Sequence, residues 1–183
     1  MFFFILYIGI VSSSGIEWKH QRTFALSKLR DFGFGKRSFE SSIMEEIKIF
    51  LDLLESYNGE PFDISKIIQT SMSNNIMSIT VGRRFDYDDP NFKYFVQLLH
   101  ETVTNAAFAG PLNFIPFLAK IPGDPFRGNR MKQIAEQIFA FFRGYISEHE
   151  QTLDSNNIRD FIDVYLTEMK ENKDSENSFY TGE

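Results

Sequence analysis

Apolar residues recur along most of the chain at the three-and-four spacing of amphipathic helices, and no strand pattern of any length follows residue 11. The spacing predicts six helices. The first starts at Ser14, which can cap it with Glu17 closing a capping box, and runs to about Arg30 with Ala25, Leu26 and Leu29 as its stripe. The second starts near Ser38 or Ser42, where Ser42 and Glu45 fit another capping box; Ile43, Ile47, Phe50, Leu51 and Leu54 carry its stripe, and Asn58-Gly59 ends it. Asp63 caps the third, whose stripe is Ile64, Ile67, Ile68, Met72, Ile76 and Ile79. Its other face holds Ser71, Ser73, Asn74, Asn75 and Ser78, small enough for close helix approach, and Gly82 stops it.

After a mixed-charge turn from Arg83 to Asp88, Asp89-Pro90 opens the fourth helix. Its buried face is expected at Phe92, Phe95, Val96, Leu99, Val103 and Ala106, and Gly110-Pro111 closes it. The fifth runs roughly from Arg127 to Glu150 on Met131, Ile134, Ala135, Ile138, Phe142 and Tyr145. The sixth runs roughly from Asn157 to Lys170 on Ile158, Phe161, Ile162, Tyr165, Leu166 and Met169, before a polar tail from Glu171 that reads as loop.

Two stretches break the pattern. Met1 to Val11 is apolar and uncharged. It is shorter than the roughly 20 residues a spanning helix needs, and it lacks the basic region and small-residue cleavage site of a signal peptide. It reads as a buried strand, a loop, or a start placed inside a longer gene. The segment 111–126 contains Pro116, Pro122 and Pro125 together with Leu112, Phe114, Ile115, Phe117, Leu118 and Ile121. Loops are usually polar. A proline-broken apolar segment either packs into a cleft or lies on an apolar surface, a membrane interface or another chain.

Composition narrows the chemistry. The 183 residues suffice for one domain with a sizeable core, and 21 Phe imply a wide, slightly irregular interior. A formal net charge of −6 argues against a nucleic-acid partner. With no Cys, disulfides, zinc–thiolate sites, a Cys nucleophile and a thiolate ligand for iron are all missing from these residues. His20, His100 and His149 are too scattered to suggest a metal site, so no metal ligand and no catalytic residue is assigned.

The candidate binding chemistry lies in the first helix. Trp18 and Arg22 are four apart and share a face. An indole N–H beside a flat, permanently charged guanidinium suits a carboxylate carried by a flat apolar ligand. The same spacing also fits a half-buried Trp with an Arg lying over it. Downstream, Asp31-Phe32-Gly33-Phe34-Gly35-Lys36-Arg37 joins Lys19 and Arg30 in a basic, aromatic patch on an acidic chain. It reads either as a solvated helix end or as a docking surface for an acidic partner.

The order of these pieces resembles a known family. Residues 9–24, with Trp18, Lys19 and Arg22, are similar to the entry to helix C of microsomal cytochrome P450 enzymes, in particular the large animal drug- and steroid-oxidising group. So are residues 29–38, Gly59-Glu60-Pro61-Phe62-Asp63, Gly82-Arg83-Arg84-Phe85-Asp86-Tyr87 and Arg159-Asp160-Phe161-Ile162-Asp163-Val164-Tyr165-Leu166. The resemblance implies an all-α partial P450 fold of about six helices, C to H, one partial domain over 1–183 lacking the haem-ligand loop and the long central helix. It implies a haem cofactor whose propionate meets Trp18 and Arg22, and an NADPH-dependent flavoprotein reductase docking at Lys19, Arg30, Phe32, Phe34 and Lys36. Thr102, Val103 and Ala106 would line the cavity for an apolar substrate oxidised with O2. Segment 111–126 would be the F–G connection that meets the membrane surface, on the cytoplasmic face of the endoplasmic reticulum. Departures accompany the match: the family's Cys ligand, its acid-alcohol pair and its E-x-x-R pair are not in these residues. The chain is therefore expected to be inactive alone, with a non-catalytic helical binding module or a non-functional relic as the alternative.

Overall fold

Six α-helices follow one another, and no strand occurs among the described residues. The structure is a computed structural model and describes residue 10 and residues 14–34 and 39–172. Lys36, the rest of the apolar stretch 1–11 and the tail from 173 lie outside them. The helices are α1 (Gly15–Asp31), α2 (Glu40–Ser56), α3 (Ile64–Thr80), α4 (Pro90–Ala109), α5 (Gly128–Thr152) and α6 (Phe161–Glu171), with two short 3-10 turns, Gly110–Asn113 and Pro116–Lys120, between α4 and α5. Each of α2 to α5 packs on the next helix in sequence, and α6 also meets α3 and α1.

Local side chains set several helix starts. The Asp63 carboxylate accepts the Ser65 N–H at 3.1 Å. Asp89 accepts from Asn91 and Phe92, with Pro90 following as expected. The two expected capping boxes do not form. Ser14 is the residue before α1 but its side chain makes no capping bond, and α2 begins at Glu40, so Ser42 is already inside it. The last helix starts later than its apolar periodicity implied, because Asp160 takes the Asp163 N–H at 3.0 Å and fixes the first turn at Phe161.

The core gathers Met77, Val81, Phe85, Phe92, Phe95, Val96, Ile162 and Leu166, with Phe141, Phe142 and Tyr145 packed against them. It is strongly aromatic: Phe85 stacks on Phe92 at 4.8 Å and Phe95 on Phe141 at 4.5 Å. Four expected apolar faces need correction. In α2, Ile43, Ile47 and Leu51 are exposed and the buried residue is Glu46, because that helix turns toward Arg84 and Tyr87. In α1, Phe24 and Ala25 are buried while Leu26 is exposed, because contact with α6 is made through Phe24 against Phe161 and Tyr165. In α3, Ile64, Ile68, Met72 and Ile76 form an exposed ridge. Asn74 on the polar side is wholly buried, and it exchanges two hydrogen bonds of 2.9 and 2.8 Å with the Phe85 backbone. In α4, the buried face ends near Leu99, and Val103 and Ala106 are exposed.

Gly82 allows the chain to pass from α3 beneath α6. Its φ is +70°, and a Cβ there would lie 2.8 Å from the Asp160 carboxylate.

Candidate functional site

The helical register brings Trp18 and Arg22 together as their spacing predicts. The Arg22 guanidinium lies 5.3 Å from the Trp18 ring centroid, a cation–π contact. Trp18 is half-buried, and its indole N–H donates to the Ile10 carbonyl at 3.0 Å. Arg22 is exposed, and no carboxylate pairs with it among the described residues. Its fork is thus oriented by the indole plate and open to an anionic ligand. The Trp18 donor must leave a backbone carbonyl to join it.

Lys19 and Arg30 are exposed on α1 and, eleven apart, share a face three turns apart. Phe32 is half-buried and Phe34 is 45% exposed where the chain leaves the helix. Thr102 is half-buried and donates its hydroxyl to the Leu98 carbonyl at 2.8 Å. With Val103 and Ala106 it lies on the last turns of α4, where the helix turns from the core to solvent. Beyond it, Phe114 and Phe117 are 87% and 67% exposed, so these apolar side chains of the 111–126 segment are not packed into a cleft. No described helix is long and apolar enough to cross a membrane.

Three charged groupings escaped the sequence reading. Glu46 is buried on α2 and accepts from Arg84 Nε at 2.8 Å, from Arg84 Nη2 and from the Tyr87 hydroxyl. Burial, then the hydrogen bond to Glu46, push the Tyr87 phenol up to about 12. At the α5–α6 junction, His149, Asp160 and Asp163 are all buried with ligand-type atoms within 4.8 Å of one another. Every one of them is engaged internally. His149 meets the Tyr145 carbonyl at 2.6 Å and Asp160 at 2.7 Å, while Arg159 grips Asp163 from Nε at 2.7 Å and Nη2 at 2.8 Å. The Arg159 fork holds the Asp163 carboxyl below its ordinary range. This is a joint between helices. The sequence does carry one signal for it, the i,i+4 pair of Arg159 and Asp163. Finally, α4 and the head of α5 border a shallow pocket, wide open to solvent, of about 480 Å³ lined by His100, Glu101, Thr104, Asn105, Arg127 and Arg130.

Comparison with known proteins gives a consistent answer. The family model described as Cytochrome P450 matches residues 5–182. Cytochrome P450 2C28 of Mesocricetus auratus is 39% identical over 179 residues, covering 96% of this chain and 36% of the relative. Cytochrome P450 2C1 of Oryctolagus cuniculus is 38% identical over 94% of this chain and 35% of its own. Cytochrome P450 18a1 of Drosophila melanogaster is 34% identical over 90% of this chain and 32% of its own. The chain spans about a third of the length of these relatives.

Proposed function

Because the chain belongs to the cytochrome P450 family, we propose that it forms the helix C to helix H portion of a haem-thiolate monooxygenase acting on an apolar organic substrate. The observation that carries this reading is the Trp18–Arg22 pair, with an exposed guanidinium that no carboxylate among the described residues holds. The Arg22 fork fits a haem propionate, and the Trp18 N–H would join it on leaving the Ile10 carbonyl. Arg22 supplies a planar fork that stays charged at any relevant pH, and Trp18 supplies an apolar plate and one N–H. The group bound there supplies activation of O2 and delivery of one oxygen atom, chemistry that needs a thiolate none of these 183 residues can give.

The remaining roles are those the family implies. Lys19, Arg30, Phe32, Phe34 and Lys36 offer cations and exposed aromatic edges to an acidic surface, which fits an NADPH-dependent flavoprotein reductase. Thr102, Val103 and Ala106 face the substrate from the end of α4. Segment 111–126 seats Phe114 and Phe117 in the endoplasmic reticulum membrane from its cytoplasmic face. The lack of any Cys favours one alternative for the 183 residues by themselves, a non-catalytic binding module or a relic.

Two measurements test the reading. In a haem-loaded protein carrying this region, Arg22→Ala removes a charge-assisted hydrogen bond of about 2 kcal/mol. Haem loss should then accelerate roughly 30-fold; an unchanged rate removes Arg22 from the anchor. The 183-residue chain mixed with haem, reduced and exposed to carbon monoxide should show no thiolate-type band. Such a band would overturn the assignment of the ligand to other residues.

A further inference from the structure

We propose that the cavity between α4 and α5 binds the phosphate of an anionic phospholipid at a bilayer surface, with Arg127 as its principal cation and Arg130 beside it. The proposal rests on the reading that segment 111–126 lies on a membrane, and adds a headgroup site and a lipid preference to it.

Arg127 is held as a binding residue rather than left as a waving surface cation. Its backbone sits in the left-handed region at φ 54°. Its guanidinium lies 4.0 Å from the Phe108 ring centroid, and Nη1 donates to Asn105 Oδ1 at 2.8 Å. Asn105 is in turn pinned by its own bond to the Glu101 carbonyl at 2.7 Å. No carboxylate lies within salt-bridge distance of the Arg127 guanidinium among the described residues, and the Asp124 carboxylate at the same helix start is spent on the Asn129 and Arg130 N–H groups. Arg130 spends its Nε and Nη2 on Glu101, which balances that pair and leaves Arg127 as the surplus positive charge of the cavity. The pocket of about 480 Å³ is wide open to solvent, so a headgroup can reach Arg127 from a bilayer surface lying over it.

Beside this cation stands the apolar rim. Phe108 is 47% exposed at the end of α4, and Phe114, Ile115, Phe117 and Ile121 are exposed just beyond it. A free phosphate would use the arginines and leave the phenylalanines in water. A neutral apolar surface would use the phenylalanines and leave Arg127 unpaired. An anionic lipid uses both, the arrangement of interfacial segments that combine buried apolar area with attraction to charged headgroups. The chain as a whole carries −6, so an anionic bilayer repels it on average. A preference for anionic lipid therefore requires a local site.

The test is co-sedimentation of the 183-residue chain with phosphatidylcholine vesicles, with and without phosphatidic acid. The expected result is tighter binding to the anionic vesicles. Arg127→Gln should lower that partition coefficient about fivefold, the effect of one cation near such a surface, and leave binding to neutral vesicles unchanged. Thr104→Glu, which adds a carboxylate to the pocket wall, should do the same. Lys132→Gln removes a charge outside the cavity and should have little effect; an equal loss from it would reduce the preference to general electrostatics and overturn the proposal. Equal binding to both vesicles overturns the headgroup site and leaves the membrane reading standing. No binding to either overturns both. Stabilisation by inorganic phosphate alone, lost in Arg127→Gln, would assign the cavity to a free anion and overturn the lipid.

Discussion

Removing the carboxylate of Glu46 isolates the buried ion pair that ties α2 to the turn carrying Arg84 and Tyr87. Glu46 is 1% exposed and answers three donors, two on Arg84 and the Tyr87 hydroxyl, none of them on its own helix. In Glu46→Gln the amide oxygen can face Arg84 and the amide nitrogen the Tyr87 oxygen. The contacts survive with weaker, singly charged bonds, and the loss should be about 1–2 kcal/mol. In Glu46→Ala the Arg84 cation, itself only 25% exposed, loses its counter-charge. Breaking such a pair from one side costs about 3–5 kcal/mol. Water reaching the open side of Arg84 puts the expected value near the lower end, about 3 kcal/mol. For a chain of this length that is a fall in Tm of about 6–12 °C, measured by circular dichroism melting. Adding Arg84→Ala to Glu46→Ala should cost little more, since the second change removes the stranded charge. Equal destabilisation by Ala and Gln, or strictly additive losses in the double variant, would refute the account.

Three further outcomes follow. Tyr87 titrates near 12 against about 10 when unfolded, so its folded state holds the proton more tightly. Its contribution is present below pH 10 and declines as pH rises through 12, and alkaline melts of Tyr87→Phe should lack that decline. Asp163 has a depressed carboxyl, so its contribution is present above the ordinary Asp range near pH 4 and is lost as pH falls through its folded value; acid unfolding of Asp163→Asn should be flatter there, and an unchanged acid limb would count against the Arg159 grip. Phe92 is fully buried among stacked rings, so Phe92→Ala should cost about 3–5 kcal/mol by urea unfolding, with a cost under 1 kcal/mol contradicting the packing.

What the residues disclose by themselves divides by distance along the chain. Asp63 and Asp89 are readable as caps because a cap needs only the next three residues, and Trp18 with Arg22 is readable because a helix puts i and i+4 side by side. Ser42 fails as a cap because nothing local forbids the helix from starting two residues earlier. In α3 the periodicity shows that two faces exist but not which one finds a partner. Asn74 turns inward because the Phe85 backbone, eleven residues on, offers both a donor and an acceptor. The Glu101–Arg130 pair and the cavity it borders depend on α4 and α5 meeting across 29 residues, which no local spacing encodes. The family resemblance was legible for a different reason: five short stretches in the right order identify a lineage without resolving any contact.

The attachment of α1 has a consequence for how the anchor pair works. Only Phe24 and Ala25 of this helix are buried, and its hold is on α6, with Gln21 reaching the Tyr165 hydroxyl 144 residues away at 3.4 Å. Among the described residues α2 to α6 each dock on a neighbour in sequence, whereas the main helix contact of α1 is with α6 and closes nearly the whole chain, the kind with the greatest loop entropy against it. Such an element opens as a unit before the rest, and its amides should exchange hydrogen at a lower free energy than those of α4. Trp18 and Arg22 thus ride on a hinged arm. A ligand that needs the arm closed binds with an affinity reduced by the fraction of time the arm stands open, so the strength of the grip at Arg22 becomes a readout of how firmly Phe24 sits against Tyr165.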